Sequence, residues 1–258
     1  MSREVVTNED YATQLQRLAR SMAAGRTEEV LDVLARGDQP WQVKMFTNGN
    51  LDKRFEKLQR QLEFVKPAFG DFDDLLVAFI RELPLAAYDT GTSDGDRLLE
   101  WLELGQKLTS EQHDFVACQR SRHAVEDEGR RNRLGHVRFQ ELVSMANELA
   151  GELGSNRNLQ IHLNPIRIWG RFETAALLDE NADPPADVLF YASGNEVRTA
   201  VLEPEGFALV HELEGLNPCT LDSWSAVADS FADREPRSQD ELAEFCHDMA
   251  TIGLLAFA

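Results

Sequence analysis

A Gly-Asn pair between two β-prone runs is the strongest constraint on what this chain can fold into. Val188-Leu-Phe-Tyr-Ala-Ser193 leads into Gly194-Asn195, and Glu196-Val-Arg-Thr-Ala-Val-Leu202 leads away. Glycine accepts a positive φ without steric cost, so the pair predicts a two-residue β-hairpin with Ser193 opposite Glu196. That register sets Val188, Phe190 and Ala192 on one face with Val197, Thr199 and Val201, and this face is expected to be the buried one. Three helical patterns follow. Pro204 suits a first turn, Phe207, Val210 and Leu213 keep helical spacing, and Gly215 is placed to end the run. Thr220 is positioned to cap a second helix carrying Leu221, Trp224, Val227 and Phe231. Ser238-Gln-Asp-Glu241 has the form of a capping box ahead of Leu242, Phe245, Met249 and Ile252, with Gly253 as the stop. Leu254 to Phe257 is expected to return to the sheet as a short strand.

A hairpin followed by three helices has the outline of a small winged-helix-like domain. Upstream, residues 159–169 alternate apolar and polar side chains and predict a further strand, with Pro165 marking an edge or a bulge. A helix is expected from Phe139 to Leu153. The first half reads as helices throughout. Tyr11, Leu15 and Leu18 share a face; Val30, Leu31, Val33 and Leu34 cluster ahead of the Gly37 to Pro40 turn. Phe55, Leu58, Leu62 and Val65 form a stripe that Pro67 helps to end. Asp71 is placed to cap a helix with Leu75, Leu76, Phe79 and Ile80 inside. Leu98, Leu99, Trp101, Leu102 and Leu104 give another, and Thr109 starts a last one. Residues 120–133 are almost entirely polar and are expected to be a linker or an exposed helix end. The predicted fold class is therefore α+β, with an all-helical domain at 1–133 and a winged-helix-like domain at 134–258.

With 258 residues the chain can bury two modest cores. Hydrophobic residues at 43% and a mean hydropathy of -0.38 describe a water-soluble composition. No apolar run has membrane-spanning length and the first residues lack a signal-peptide core, so a cytoplasmic location is expected. Cys118, Cys219 and Cys246 are odd in number and widely spaced, which argues against a disulfide framework. The net charge of -19 is uneven. Residues 1–133 hold 19 Lys/Arg and 24 Asp/Glu, and residues 134–258 hold 7 and 21. Duplex nucleic acid is bound largely by neutralising its phosphates, so a half-chain this acidic disfavours it. A basic or neutral polypeptide is the easier partner.

Several short motifs combine into a family likeness. Thr199-Ala-Val-Leu-Glu-Pro-Glu-Gly206, Glu214-Gly215 and Ile252-Gly-Leu-Leu255 resemble the PqqD-type peptide-recognition element of ribosomal peptide maturation pathways. Phe46-x-Asn48, Pro67, Phe79-Ile-Arg-Glu-Leu-Pro84 and Leu99-Glu-Trp-Leu102 resemble the helical domain of the MbnC and HvfC companion proteins, in which a PqqD-like domain follows. In size the chain is similar to the TglI-like branch. The resemblance implies an accessory subunit of an MbnB-like (TglH-like) TIM-barrel iron enzyme, contacted through the helical domain. It would present a cysteine of a ribosomal precursor peptide to that enzyme, in 3-thiaglutamate-type biosynthesis with excision of a β-carbon, or in another cysteine modification. Iron would belong to the partner, with no cofactor in this chain.

The binding role also has a physical statement of its own. An edge strand exposes unpaired N–H and C=O groups that a peptide can satisfy by adding a strand. The expected edge is Val197, Arg198, Thr199, Ala200, Val201 and Leu202, over an apolar floor of Leu242, Phe245, Cys246 and Met249. A proline at Ala200 is expected to block that pairing. No catalytic or metal constellation is predicted. Cys246 and His247, being adjacent on a helix, point about 100° apart. His113, Cys118 and His123 are spaced by five, and Asp89, Asp94 and Asp96 suit a turn with a helix cap better than a calcium loop. The rival readings are a winged-helix transcriptional regulator and an independent hydrolase. The last helix, with Asp240, Glu241, Glu244 and Asp248 and no Lys or Arg, argues against the first; no constellation supports the second.

Overall fold

The structure, a computed structural model, describes residues 8–23, 26, 28–30, 40–83, 92–150, 152–153, 156, 158–178, 182–228 and 238–258. It is mixed α and β, and the chain divides into two compact units, Met1–Val116 and Ala117–Ala258. Of the expected features, Leu31 to Pro40 (apart from Pro40 itself), the Pro84 stop, Asp89 and Phe231 lie outside the described residues.

The first unit contains helices α1 (Asn8–Ala23), α2 (Pro40–Gln61), α3 (Phe72–Glu82) and α4 (Asp94–Gly105), and the start of α5 (Ser110–Arg131). The periodic positions make its core. Leu58, Leu62, Val65, Phe72, Leu76, Phe79, Leu98, Leu99 and Leu102 are buried together. Leu104, counted on the same pattern, is 82% exposed. Ser93 caps α4, its Oγ accepting from the Asp96 N–H at 3.0 Å, which accounts for Asp94 and Asp96 as first-turn acids. Asp71 stands at the N-cap of α3 without a side-chain cap bond. A buried ion pair joins three helices here. Arg54 on α2 meets Asp94 through Nε at 2.7 Å and Nη2 at 2.8 Å, and it also donates to the carbonyls of Ile80 and Leu83 at the end of α3.

The second unit takes in the rest of α5, then α6 (Arg133–Ala150), β1 (Gln160–Leu163), β2 (Arg167–Phe172), β3 (Ala186–Ser193) and β4 (Glu196–Val201). After these come α7 (Pro204–Leu216), β5 (Cys219–Thr220), α8 (Leu221–Ala228), α9 (Gln239–Thr251) and β6 (Leu255–Phe257). Two antiparallel three-stranded sheets form, ordered β5-β1-β6 and β2-β3-β4. The hairpin register pairs Ser193 with Glu196, and Gly194 has φ +61°. The Ser238–Glu241 capping box is present, Gly253 has φ +79°, and Leu255–Phe257 pairs with β1 as a strand.

Three expectations change. Of the two readings for residues 120–133 the linker is replaced: residues 120–131 are the end of α5, Asn132 is a turn and Arg133 starts α6, while the division between units falls earlier, within α5. Although polar, that helix buries Val125 completely against Ile166, Val188 and Phe190, and charged pairs along it such as Arg131 with Glu128 favour the helix. The run 159–169 is not one strand but two, β1 and β2, in different sheets. Pro165 cannot donate to a ladder, and Asn164 turns the chain there with its side chain bonded inward. Lastly, β3 is buried on both faces. Val188, Phe190 and Ala192 face Val125, while Leu189 and Tyr191 face α7 to α9, as suits a run without polar alternation. Gly170 on β2 is required by this packing: a Cβ there would lie 2.8 Å from the buried ring of Phe190.

α7 is fastened to β2 by Glu214. Its carboxylate accepts from Arg167 Nε at 2.8 Å, Trp169 Nε1 at 3.1 Å and His211 Nδ1 at 2.9 Å, while Trp169 stacks on His211. Burial alone would raise the Glu214 pKa, but the Arg167 bond and charge, with Trp169 and His211, outweigh it and hold it below the ordinary value. A depressed carboxylate contributes stability above its unfolded pKa and loses it as pH falls through the folded one. Glu214→Gln is therefore expected to lose about 1 kcal/mol at neutral pH, screening included. In urea melts that difference from the parent protein should vanish at acid pH; a difference independent of pH would contradict the account.

Candidate functional site

β4 has a partner on one side only among the described residues, since the sheet order ends with it. Its ladder to β3 fixes which backbone groups are free. Leu202 N–H donates to the Asp187 carbonyl at 3.3 Å, so Leu202, Ala200, Arg198 and Glu196 take the hydrogen-bonded positions of the antiparallel ladder. Val197, Thr199 and Val201 hold the alternate positions and turn their N–H and C=O away from β3. The unpaired edge therefore presents donors and acceptors from these three residues. This places Ala200 differently from expectation. A proline there would remove the donor to Leu189 and break the hairpin itself, whereas Thr199 is the position whose N–H faces outward.

Beside the Val201 end of this edge lies an open groove of about 940 Å³. It is walled by Val201 and Leu202, the first turns of α7 and one side of α9. Pro204 at the start of α7 pre-sets the helical φ that turns the chain away from the edge. Gly206 in the next positions leaves the wall low, and a Cβ there would sit 3.6 Å from the Phe245 ring. On α9 the spacing 242, 245, 249 aligns Leu242, Phe245 and Met249 along the groove. Leu242 is fully buried beneath, while Phe245 and Met249 are half-buried and pack on the edge of the core.

Five of the ten expected site residues thus meet in one groove: Val201, Leu202, Leu242, Phe245 and Met249. The others stand elsewhere. Cys246 is 0% exposed inside the core and does not reach the groove, and burial pushes its thiol far above the ordinary range, so it is a core residue rather than part of the floor. Ala200 is half-buried against the core, and Arg198 and Thr199 are exposed on the strand. Val197 borders a second hollow at the hairpin end, formed with Val125, Gly129, His136 and Val137 of α5 and α6. His136 Nε2 there lies 3.0 Å from the Gly194 carbonyl.

Acidic residues dominate the rim. Glu203, Glu205, Glu241, Glu244 and Asp248 line the groove, with no Lys or Arg among its lining residues. They are visible in the sequence as neighbours of the apolar positions, Glu244 before Phe245 and Asp248 before Met249, but which groove they border depends on how α7 and α9 pack. As for the other candidates, Cys118 is buried, with its thiol raised to about 11 chiefly by burial, and His123 bonds Gln119 at 3.0 Å. No group of three or more His, Cys, Asp or Glu is placed to hold a metal ion among the described residues. No helix is long and apolar enough to cross a membrane among them. Compared with family models, curated proteins and solved structures, the chain matches none.

Proposed function

We propose that this chain is a peptide-binding accessory subunit with a winged-helix, PqqD-like second unit and a helical first unit. It takes a segment of a ribosomal precursor peptide as an added strand on β4 and presents that peptide's cysteine to a partner iron enzyme of the MbnB type. The branch nearest in size carries out 3-thiaglutamate-type chemistry, and the iron resides in the partner. The setting is the cytoplasm. One observation supports the binding role above the rest: a strand edge whose outward N–H and C=O groups are unpaired among the described residues runs into an open groove between two helices, with Leu202, Phe245 and Met249 in its wall. Main-chain bonds to Val197, Thr199 and Val201 supply affinity without regard to side chains. The groove beside Leu202, Phe245 and Met249 then selects an apolar side chain.

Thr199→Pro tests the edge. It removes an outward N–H and places a ring where an added strand must lie, while the ladder to β3 keeps all its donors. Fluorescence anisotropy with a labelled cysteine-containing precursor peptide is expected to show affinity reduced at least about tenfold, with the far-ultraviolet circular dichroism retained. Unchanged affinity would exclude β4. Assembly is tested separately. Co-expression with a barrel iron enzyme of the MbnB type should give an iron-containing complex on size exclusion, and a chain that elutes alone speaks against the partner.

A further inference from the structure

Part of the acidic rim has a local cost that the helices themselves do not offset. Glu203 and Glu205 sit at the start of α7 and Glu241 in the first turn of α9, where negative charge is favourable. Glu244 and Asp248 are different. Asp248 lies near the C-terminal end of α9, where the helix dipole disfavours an anion, and that last turn holds no basic residue. Glu241, Glu244 and Asp248 also follow one another at i, i+3 and i+4 steps, a stripe of like charges that repel. This stripe flanks Phe245 and Met249 and faces the first turn of α7, which adds Glu203 and Glu205. The hollow at the other end of the β4 edge is mixed, with Arg130, Arg133 and His136 beside Glu126, Glu141 and Glu196.

Resting on the strand-addition reading above, we propose that the segment bound at β4 carries Lys or Arg side chains at one end of an apolar core. Those cations lie over the Val201 end of the edge, against Glu205, Glu244 and Asp248. An apolar side chain enters between Leu202, Phe245 and Met249, and the cations neutralise carboxylates that otherwise repel across the groove. The difference in charge between the two ends of the edge sets which way the segment lies. A segment with acidic flanks is rejected by the same charges.

Synthetic peptides test this with one strand-forming apolar core. One carries paired Lys at its N-terminal end, a twin carries them at its C-terminal end, and two more carry Gln or Glu in their place. One Lys peptide should bind roughly tenfold more tightly than the Gln peptide, a few exposed charge contacts together giving that factor. The gain should disappear in high salt and in the Glu244→Gln, Asp248→Asn double variant, and the Glu peptide should bind worst. Thr199→Pro should weaken all of them, which marks binding as edge pairing. If no peptide binds, the strand-addition reading falls and this inference with it. If all bind alike and Thr199→Pro weakens them, that reading stands and the charge inference alone is overturned. Equal gain from both Lys placements, or a gain that survives the double variant, also overturns it.

Discussion

Arg54→Ala is expected to destabilise the helical unit by about 3–5 kcal/mol, because it leaves Asp94 charged, buried and unpaired. Both side chains are almost inaccessible, at 5% and 6% exposure. The guanidinium makes two bonds to the carboxylate, one each to the Ile80 and Leu83 carbonyls, and rests 5.2 Å from the Phe79 ring centre. Those carbonyls belong to the last turn of α3 and its C-cap, and among the described residues no amide further along the chain is bonded to them. Arg54 therefore joins the end of one helix to the start of another. Lysine cannot reproduce this, since it lacks the planar fork that reaches a carboxylate and two carbonyls together. Removing both charges, as in Arg54→Met with Asp94→Leu, should recover part of the loss; the two carbonyls remain without donors, so recovery stays incomplete. Hydrogen exchange at Leu58 and Leu62, with Leu189 and Phe190 as reference, reads the effect. Protection in Arg54→Ala should drop by roughly a hundredfold or more, at tenfold per 1.4 kcal/mol. Protection equal to the parent's would mean that the pair contributes little.

How much of this was legible in the sequence depends on the range of the interaction. The hairpin register, the Ser238–Glu241 box and the Gly253 stop are settled within four or five residues, and each stands as its local chemistry predicts. The apolar stripe at Leu58, Leu62 and Val65 is equally local, because helical period alone brings those side chains together. What could not be read is what depends on distant partners. Nothing near residue 125 announces that a single valine in a charged helix will be covered by β2 and β3. Cys246 has the same spacing as groove residues, and its place inside follows from the rotation of α9 against α6, α8 and β6. The sequence marks the free edge as a span, but which of its residues face outward depends on the ladder parity, and that exchanges Ala200 for Thr199 as the sensitive position.

Asn164 is the largest of these hidden contributions. It is 0% exposed, and its side chain completes two strands at once. Its Oδ1 accepts from the Ile166 N–H at 3.0 Å, and its Nδ2 donates to Ala192 at 2.8 Å and to Gly253 at 3.4 Å. The Ala192 N–H already bonds the Ile166 carbonyl at 3.0 Å, so the Asn164 amide supplies the donor that β2 would have supplied one step further on. Its own N–H meets the Leu254 carbonyl, and its carbonyl takes Arg167 Nη1. One side chain thus holds the chain reversal between the two sheets and the end of β3, from which β4 hangs. Asn164→Ala leaves a buried N–H and two carbonyls unsatisfied at about 1–3 kcal/mol for each poorly relaxed group, so a loss near 4 kcal/mol is expected. Asn164→Asp separates hydrogen bonding from shape. A neutral carboxyl can donate to Ala192 and accept from Ile166, but an ionised one cannot donate and is buried besides. Its folded pKa must lie above the unfolded value, so stability is retained below the unfolded carboxylate range and lost as pH rises through the folded value. Thermal melts should accordingly bring Asn164→Asp nearest to the parent at acid pH and nearest to Asn164→Ala at neutral pH; a pH-independent gap would show that Asn164 acts by packing alone.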